Sequence, residues 1–145
     1  MVNRDKEQEF ADLIGARLSS QDEDFGGVDV KADFTVDVKA MKKVWRGDNS
    51  PQGEFHWIEL RNVQGNPGWA YSKADFIAFE TPGSWLLVKP SDLQGYLNTV
   101  QFMLYDGEDI PLFKLYSRKG RKDLMTLIPT DKLKTICFEI LKKSD

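Results

Sequence analysis

The chain has 145 residues, of which 41% are hydrophobic and 12% aromatic, which is enough apolar material for one hydrophobic core. The formal net charge of −3 excludes a protein that coats nucleic acid nonspecifically, because such proteins use a large positive charge to release counterions. One histidine and one cysteine exclude a zinc cage and Cys-His catalysis. No linker-like segment, charge block or repeat divides the sequence, so we predict a single domain over residues 1–145.

The first residues are charged where a secretory signal needs an apolar stretch, and the longest purely apolar run covers only residues 85–88. We therefore expect no membrane segment. The lone Cys137 cannot form an internal disulfide, which is typical of a reducing compartment. These features predict an intracellular, cytoplasmic protein.

The first third of the chain predicts a helix followed by two strands. Apolar residues recur at helical spacing over residues 5–18, and a polar exit loop follows them. Residues 28–30 form a short strand after Gly26-Gly27, and a turn at residues 31–33 leads into a β-rich run over residues 34–45. We expect the short strand to turn back into the long one.

The middle of the chain predicts a hairpin and two further strands. Residues 46–53 are rich in loop-forming residue types, and residues 55–63 again alternate apolar and polar side chains. We therefore expect residues 55–63 to form an antiparallel hairpin with the preceding strand. Residues 74–79 and 85–88 are typical of two more strands, which brings the sheet to about five strands.

The last third predicts a helix, a hairpin and a second helix. Ser91 and Gln94 have the spacing of a capping box, which indicates a helix from residue 91 to about residue 103. Residues 112–128 form a hairpin around a basic turn, and Thr130-Asp131 begins a last helix that reaches Leu141. The order of elements predicts an α/β fold, a mixed β-sheet flanked by helices.

The second predicted strand carries two charged side chains on one face. Because side chains alternate along a strand, Asp37 and Lys39 point to one side while Val36 and Val38 point to the other. Asp29 lies on the preceding short strand, and a tight turn after it would bring it beside Asp37. The alternative is an ordinary cross-strand ion pair on a solvated face, which contributes little to stability.

Two carboxylates and an ammonium would then share one site. Magnesium is commonly bound by one or two carboxylates together with waters and substrate phosphate, so Asp29 and Asp37 are candidate ligands of Mg²⁺ or Mn²⁺. The metal would polarise a phosphate and lower the pKa of a bound water. Lys39 would stabilise the charge that develops on the phosphate or orient that water.

These residues, with a helix before them and a strand over residues 74–79 after them, resemble the PD-(D/E)XK nuclease superfamily. The resemblance covers residues 5–88, and the turn at residues 118–123 is also similar to small members. It implies a restriction-endonuclease-like fold, Mg²⁺-dependent hydrolysis of phosphodiesters, metal ligands at Asp29 and Asp37, and a catalytic Lys39. Resolvases of branched DNA, mismatch-repair nicking enzymes and small phage-encoded nucleases share that core, and a phage protein would act in the host cytoplasm. The proline of the family pattern is absent.

The resemblance leaves two assignments open. Members often add an acid from the first helix, for which Glu9 is the candidate. The other acids of that helix that compete with it are Asp5 and Asp12. Glu59-Leu60-Arg61 also has the acid-x-base form and would face Asp37 in the predicted hairpin. Because a guanidinium cannot give up a proton, we prefer Asp37 with Lys39 as the catalytic pair and treat Glu59 as an accessory metal ligand.

Two basic segments and one tryptophan are candidates for contacts with nucleic acid, although solvated loops and strand ends would carry the same charges. Trp69 lies in a loop rich in glycine and asparagine and could stack on an unpaired base. The candidate nucleic-acid-binding residues are Lys42, Lys43, Arg46, Arg61, Trp69, Arg118, Lys119, Arg121 and Lys122. We expect His56 to be a surface or hydrogen-bonded residue rather than a general base.

The sequence supports functions of two kinds. The first is a metal-dependent endonuclease that cuts DNA, and so small a domain has little room for a sequence-reading surface, which favours branched or mismatched DNA. The second is a catalytically inactive module of the same fold that binds nucleic acid or, given the acidic balance, a protein partner. Paired cuts on two strands need two active sites, so we expect a homodimer.

Overall fold

The computed structural model describes residues 4–14, 17–18, 30–31, 34–44 and 49–143. Within these residues the helices are α1 (Arg4–Ile14), a 3-10 turn (Trp69–Tyr71), α2 (Pro90–Leu97) and α3 (Thr130–Ile136). The strands are β1 (Arg17–Leu18), β2 (Val30–Lys31), β3 (Thr35–Lys39), β4 (Phe55–Arg61), β5 (Phe76–Glu80), β6 (Ser84–Val88), β7 (Met103–Leu104), β8 (Lys114–Leu115), β9 (Leu124–Pro129) and β10 (Glu139–Lys142).

Six strands form one mixed sheet in the order β1-β2-β3-β5-β6-β10. Only β3 and β5 run parallel within it, and the other neighbours are antiparallel. Parallel neighbours need a crossover connection, so the chain leaves the sheet between them, and this excursion contains β4. β4 pairs with β9 in a separate antiparallel ribbon. The predicted α/β class with a mixed sheet is confirmed.

Both faces of the six-stranded sheet are covered because side chains on β3, β5 and β6 alternate between two cores. On one face α1 packs Phe10 against Trp85, with ring centroids 5.3 Å apart, beside Val36 and Val38. The opposite face supports the β4–β9 ribbon, α2 and α3. The buried residues of that larger core include Ile58, Ile77, Phe79, Leu93, Ile128 and Leu133.

The predicted hairpin between β3 and the strand over residues 55–63 is wrong. β3 lies between β2 and β5, so both of its edges are occupied. A single bridge between Lys42 and Gln52 is what joins the two segments within the described residues. The expected antiparallel pairing of the short strand with β3 is confirmed, with Val30 opposite Val36.

Three predicted helix boundaries are also wrong. The opening helix ends at Ile14, and Leu18 belongs to β1. The last helix ends at Ile136, because the next residues pair with the edge of β6 as β10. α2 ends at Leu97 and has no side-chain cap, and the Gln94 amide instead donates to the Ala70 carbonyl oxygen. No helix in the part of the chain that the structure describes is long and apolar enough to cross a bilayer.

Candidate active-site cleft

Asp37 and Lys39 lie on the same face of β3, as the alternation predicts, and form an ion pair. The Lys39 Nζ lies 3.1 Å from the Asp37 Oδ1. Asp37 is only 2% exposed, whereas 27% of the Lys39 side chain is accessible. The pair is therefore not a solvated surface pair, since its carboxylate is buried and only its ammonium reaches solvent.

Lys39 lines a cleft of about 620 Å³ between α1, the end of β3 and the β4–β9 ribbon. The charged residues that line it are Lys6, Glu7, Lys39, Lys42, Glu59 and Arg118. Its aromatic lining consists of Phe55, His56, Trp57 and Trp69. Asp37 does not itself line the cleft and is connected to it through Lys39. A larger depression of about 720 Å³ near the start of α3 contains none of the residues predicted as a site.

Trp69 joins Lys39 to Glu59. The Lys39 Nζ lies 4.7 Å from the centroid of the Trp69 ring, within the range of a cation–π contact. The Trp69 backbone N–H donates to the Glu59 Oε1 over 3.2 Å. Asp37, Lys39, Trp69 and Glu59 therefore form a continuous series of contacts, which we call the Asp37–Glu59 chain. Glu59 enters this chain although the hairpin that predicted it does not form.

Gly68 precedes the 3-10 turn and lies so close to the β4 backbone that a side chain would not fit there. A Cβ at this position would lie 2.4 Å from the Glu59 backbone oxygen and 2.8 Å from the Glu59 Cγ. We expect Gly68→Ala to lower the free energy of unfolding by about 1–3 kcal/mol and to shift Glu59 relative to Trp69. Urea unfolding measures this loss. Gly95→Ala in α2 is the control, because a Cβ there meets nothing within 4 Å and should be neutral or stabilising.

The first helix contributes Glu7 to the cleft rather than Glu9. Glu7 is 3% exposed and lines the cleft, while 44% of the Glu9 side chain is accessible and its carboxylate lies 3.7 Å from Lys6. Sequence reasoning missed Glu7, although a signal existed. Glu7 shares the helix face of Phe10 and Ala11 at i+3 and i+4, so an acid on the packing face was visible in the pattern. The competitors Asp5 and Asp12 are both exposed.

His56 is buried rather than on the surface. It is 4% exposed, its ring meets the Phe79 ring edge-to-face at 5.2 Å, and its Nε2 has no hydrogen-bond partner among the described residues. Burial lowers the pKa of His56 to about 4, against the smaller opposing effects of a hydrogen bond to the Glu80 backbone and of the Glu80 charge. The ring is therefore neutral at physiological pH.

Acid should destabilise the protein through His56. Between its folded pKa of about 4 and its ordinary value of 6.5, the unfolded chain binds more protons than the folded one. The free energy of unfolding should therefore fall by up to about 3 kcal/mol as the pH drops through this window. Because the chain has one histidine, NMR titration of its ring protons measures the folded pKa without ambiguity. A midpoint near the ordinary value would contradict the burial of the ring.

A second charged cluster, centred on Glu80, positions the cleft residue Lys6. Glu80 is fully buried, and its Oε2 accepts hydrogen bonds from Lys6 at 2.5 Å and from Lys143 at 2.8 Å. Its Oε1 accepts from the Met41 N–H at 2.9 Å. Glu80 thus joins α1, the segment after β3 and the segment after β10, and it fixes Lys6 where that side chain lines the cleft.

The other predicted contacts fall into three groups. Lys42 and Arg118 line the cleft, and the Arg118 guanidinium is anchored by the buried Asp123 carboxylate, with Nη2 and Oδ2 2.6 Å apart. Lys43, Arg61, Lys119, Arg121 and Lys122 are exposed and lie outside it. Asp29 and Arg46 lie outside the described residues.

The donor chemistry of the cleft suits a hard cation. Its acidic side chains present only carboxylate oxygens, which Mg²⁺ prefers. Among the residues that the structure describes, no group of three or more His, Cys, Asp or Glu side chains could hold a metal ion. One or two carboxylates with waters and a phosphate are the usual magnesium set, and Glu7 and Glu59 are the carboxylates that line the cleft.

Comparisons with family models, with curated proteins and with solved structures find no match to this chain. The function therefore has to be argued from the cleft itself.

Proposed function

We propose that this chain is a metal-dependent endonuclease that hydrolyses DNA phosphodiester bonds in the cleft beside Lys39, on a restriction-endonuclease-like fold. The observation that carries the proposal is the Asp37–Glu59 chain, which brings two acids, a lysine and an aromatic ring together at the edge of a solvent-accessible cleft. β3, β4 and the 3-10 turn supply these groups. Such a concentration of charged groups in a cleft is typical of a catalytic site.

A magnesium or manganese ion would be held by carboxylates of this region, with Asp37 and Glu59 as ligands and Asp29 as the further acid implied by the sequence. When bound, such an ion supplies a polarised phosphate and a water of lowered pKa. Glu7 replaces Glu9 as the acid that α1 contributes. Lys39 must then leave part of its contact with the Asp37 carboxylate, which its accessible ammonium can do by turning into the cleft.

The basic residues of the cleft would bind and orient the substrate. Hydrolysis forms one P–O bond from water and breaks another, and the negative charge on the phosphate oxygens grows in between. Lys39 would donate hydrogen bonds to those oxygens. Lys42, Lys6 and Arg118 line the same cleft and would neutralise neighbouring phosphates.

A second function is favoured by the burial of Asp37. Its carboxylate is 2% exposed and already paired with an ammonium, an arrangement that a purely structural ion pair would share. In that case the chain is a catalytically inactive module that binds nucleic acid or a protein partner through the same cleft.

One experiment separates the two functions. The full chain is incubated with supercoiled plasmid, with a four-way junction and with mismatched duplex, in Mg²⁺, in Mn²⁺ and in chelator. Nicked or cut products in metal, and none in chelator, are the expected result. Intact substrates in every metal condition would overturn the endonuclease and leave the binding module. Size-exclusion chromatography with light scattering tests the expected homodimer.

A further inference from the structure

A row of three aromatic rings continues from the cleft along the β4–β9 ribbon. Trp57 lines the cleft, and its ring lies 5.8 Å from that of Tyr116 with the planes tilted by 39°. The Tyr105 ring meets Tyr116 edge-on at 5.7 Å. All three residues are half-buried. We call these residues the aromatic row.

Backbone hydrogen bonds order the segments that carry two of these residues, Tyr105 and Tyr116. Tyr116 and Met125 exchange two backbone hydrogen bonds of 2.8 Å, and the Tyr105 N–H donates to the Leu115 carbonyl oxygen at 2.9 Å. Met125 is also the strand partner of Glu59 in the β4–β9 ribbon. Tyr116 and Glu59 therefore flank the same residue of β9. A segment whose backbone is already ordered loses less conformational entropy when a flat partner stacks on its rings.

The charges beside the row suit a polyanion on one side. Arg118 lies two residues after Tyr116 and lines the cleft, and its guanidinium is fixed by hydrogen bonds to the buried Asp123, including one of 2.6 Å from Nε. Lys39 and Lys42 line the same cleft. The Tyr105 end is acidic, because Asp106 and Asp109 follow it closely. A polyanion would therefore run from the cleft past Trp57 and Tyr116 and end near Tyr105.

We propose that the aromatic row binds an unpaired segment of nucleic acid by stacking its bases on Trp57 and Tyr116, with Arg118 at the phosphates. The proposal rests on the proposed function, whose substrate class it narrows to nucleic acid with a single-stranded arm. In a duplex the faces of the bases are stacked on one another, so exposed rings next to phosphate-binding groups serve bases that have left the stack. Stacking accepts any base. The aromatic row would therefore recognise that a strand is unpaired and not which sequence it has.

The test measures binding without cleavage. A labelled oligothymidylate of about ten nucleotides is titrated with the full chain in chelator, and binding is followed by fluorescence anisotropy. The matched probe is an abasic strand of equal length, which keeps the phosphates and lacks the bases. We expect the oligothymidylate to bind about tenfold or more tightly than the abasic strand, and to quench tryptophan fluorescence. Equal affinity for the two strands would overturn the proposal.

Variants locate the stacking surface. Tyr116→Leu should weaken oligothymidylate binding about tenfold with an unchanged salt dependence, while Tyr116→Phe should bind as the wild type does. Tyr71→Leu is the control, because Tyr71 is 48% exposed on the 3-10 turn and does not line the cleft. Wild-type affinity in Tyr116→Leu, or tighter binding of duplex than of single strand, would overturn the proposal. The comparison of thymidylate with abasic strand needs no variant, so it decides the matter even if Tyr116→Leu does not fold.

The outcomes separate this inference from the endonuclease. Base-dependent binding without cleavage in metal supports the aromatic row and removes the endonuclease. Cleavage of duplex with equal affinity for thymidylate and abasic strands does the reverse. Ribonucleotide strands form a parallel arm, and base-dependent binding of either sugar supports stacking.

Discussion

Asp37→Asn should lower metal-dependent cleavage at least about a hundredfold, because the substitution keeps the shape of the side chain and removes its charge. Asp37 is the buried end of the Asp37–Glu59 chain and is held against Lys39 at 3.1 Å. On the proposed function, loss of the charge would remove a metal ligand and would also free the ammonium that pairs with it. Initial rates of plasmid nicking in Mg²⁺, wild type against variant, measure the effect.

Controls for this prediction come from acids of the same type elsewhere. Asp131 on α3 has a side chain that is 92% exposed, so Asp131→Asn should cleave at the wild-type rate. Lys39→Met should also lose activity, by about a hundredfold or more, because it removes the donor to the phosphate oxygens. Cleavage that survives Asp37→Asn would show that the catalytic site lies elsewhere.

Glu80→Gln should lower the free energy of unfolding by about 3 kcal/mol, which is the usual cost of removing one partner of a buried ion pair. The fully buried carboxylate accepts from Lys6, Lys143 and the Met41 N–H, and an amide satisfies these donors only in part. Thermal and urea unfolding measure the loss. Glu54→Gln is the control, because Glu54 is exposed and a surface change should stay within about 0.5 kcal/mol.

The same residue gives the protein a second acid-sensitive window. Burial alone raises the pKa of Glu80, but hydrogen bonds from Lys143 and Lys6 outweigh that effect, and the pKa falls below its ordinary value of 4.5. Its stabilisation is complete above the unfolded pKa and is lost as the pH falls through the folded value. Glu80→Gln should therefore flatten the acid limb below the ordinary glutamate pKa of 4.5. An acid limb identical to that of the wild type would contradict the ion cluster.

Local patterns in the sequence predicted the centre of the site. The alternation from Val36 to Lys39 placed Asp37 and Lys39 on one face, because a strand with one packed face has a fixed period of two. The antiparallel pairing of β2 with β3 followed from the same short-range reasoning. The accessibility of Asp37 was not predictable, because its burial depends on elements that pack over β3 from elsewhere in the chain.

Long-range pairing explains what the sequence did not provide. Residues 55–61 were correctly predicted as a strand, but their partner is β9, with Phe55 opposite Pro129. Periodicity identifies a strand and its buried face, and it contains no information about which distant strand completes the ladder. The predicted length of the last helix was wrong for a related reason. Phe138 to Leu141 fit a helical spacing, yet the open edge of β6 offers hydrogen bonds that favour a strand.

The pairing of β4 with β9 also sets the order in which this molecule can become functional. Contacts between residues so distant in sequence form slowly, since the intervening chain must be closed into a loop first. During synthesis β4 is made well before its partner β9. The β4–β9 ribbon, which carries Glu59 and Trp57, therefore cannot form until β9 has been made. A chain that stops before Leu124 lacks β9 and therefore lacks this ribbon. On the proposed function, cleavage would therefore begin only after β9 has been synthesised.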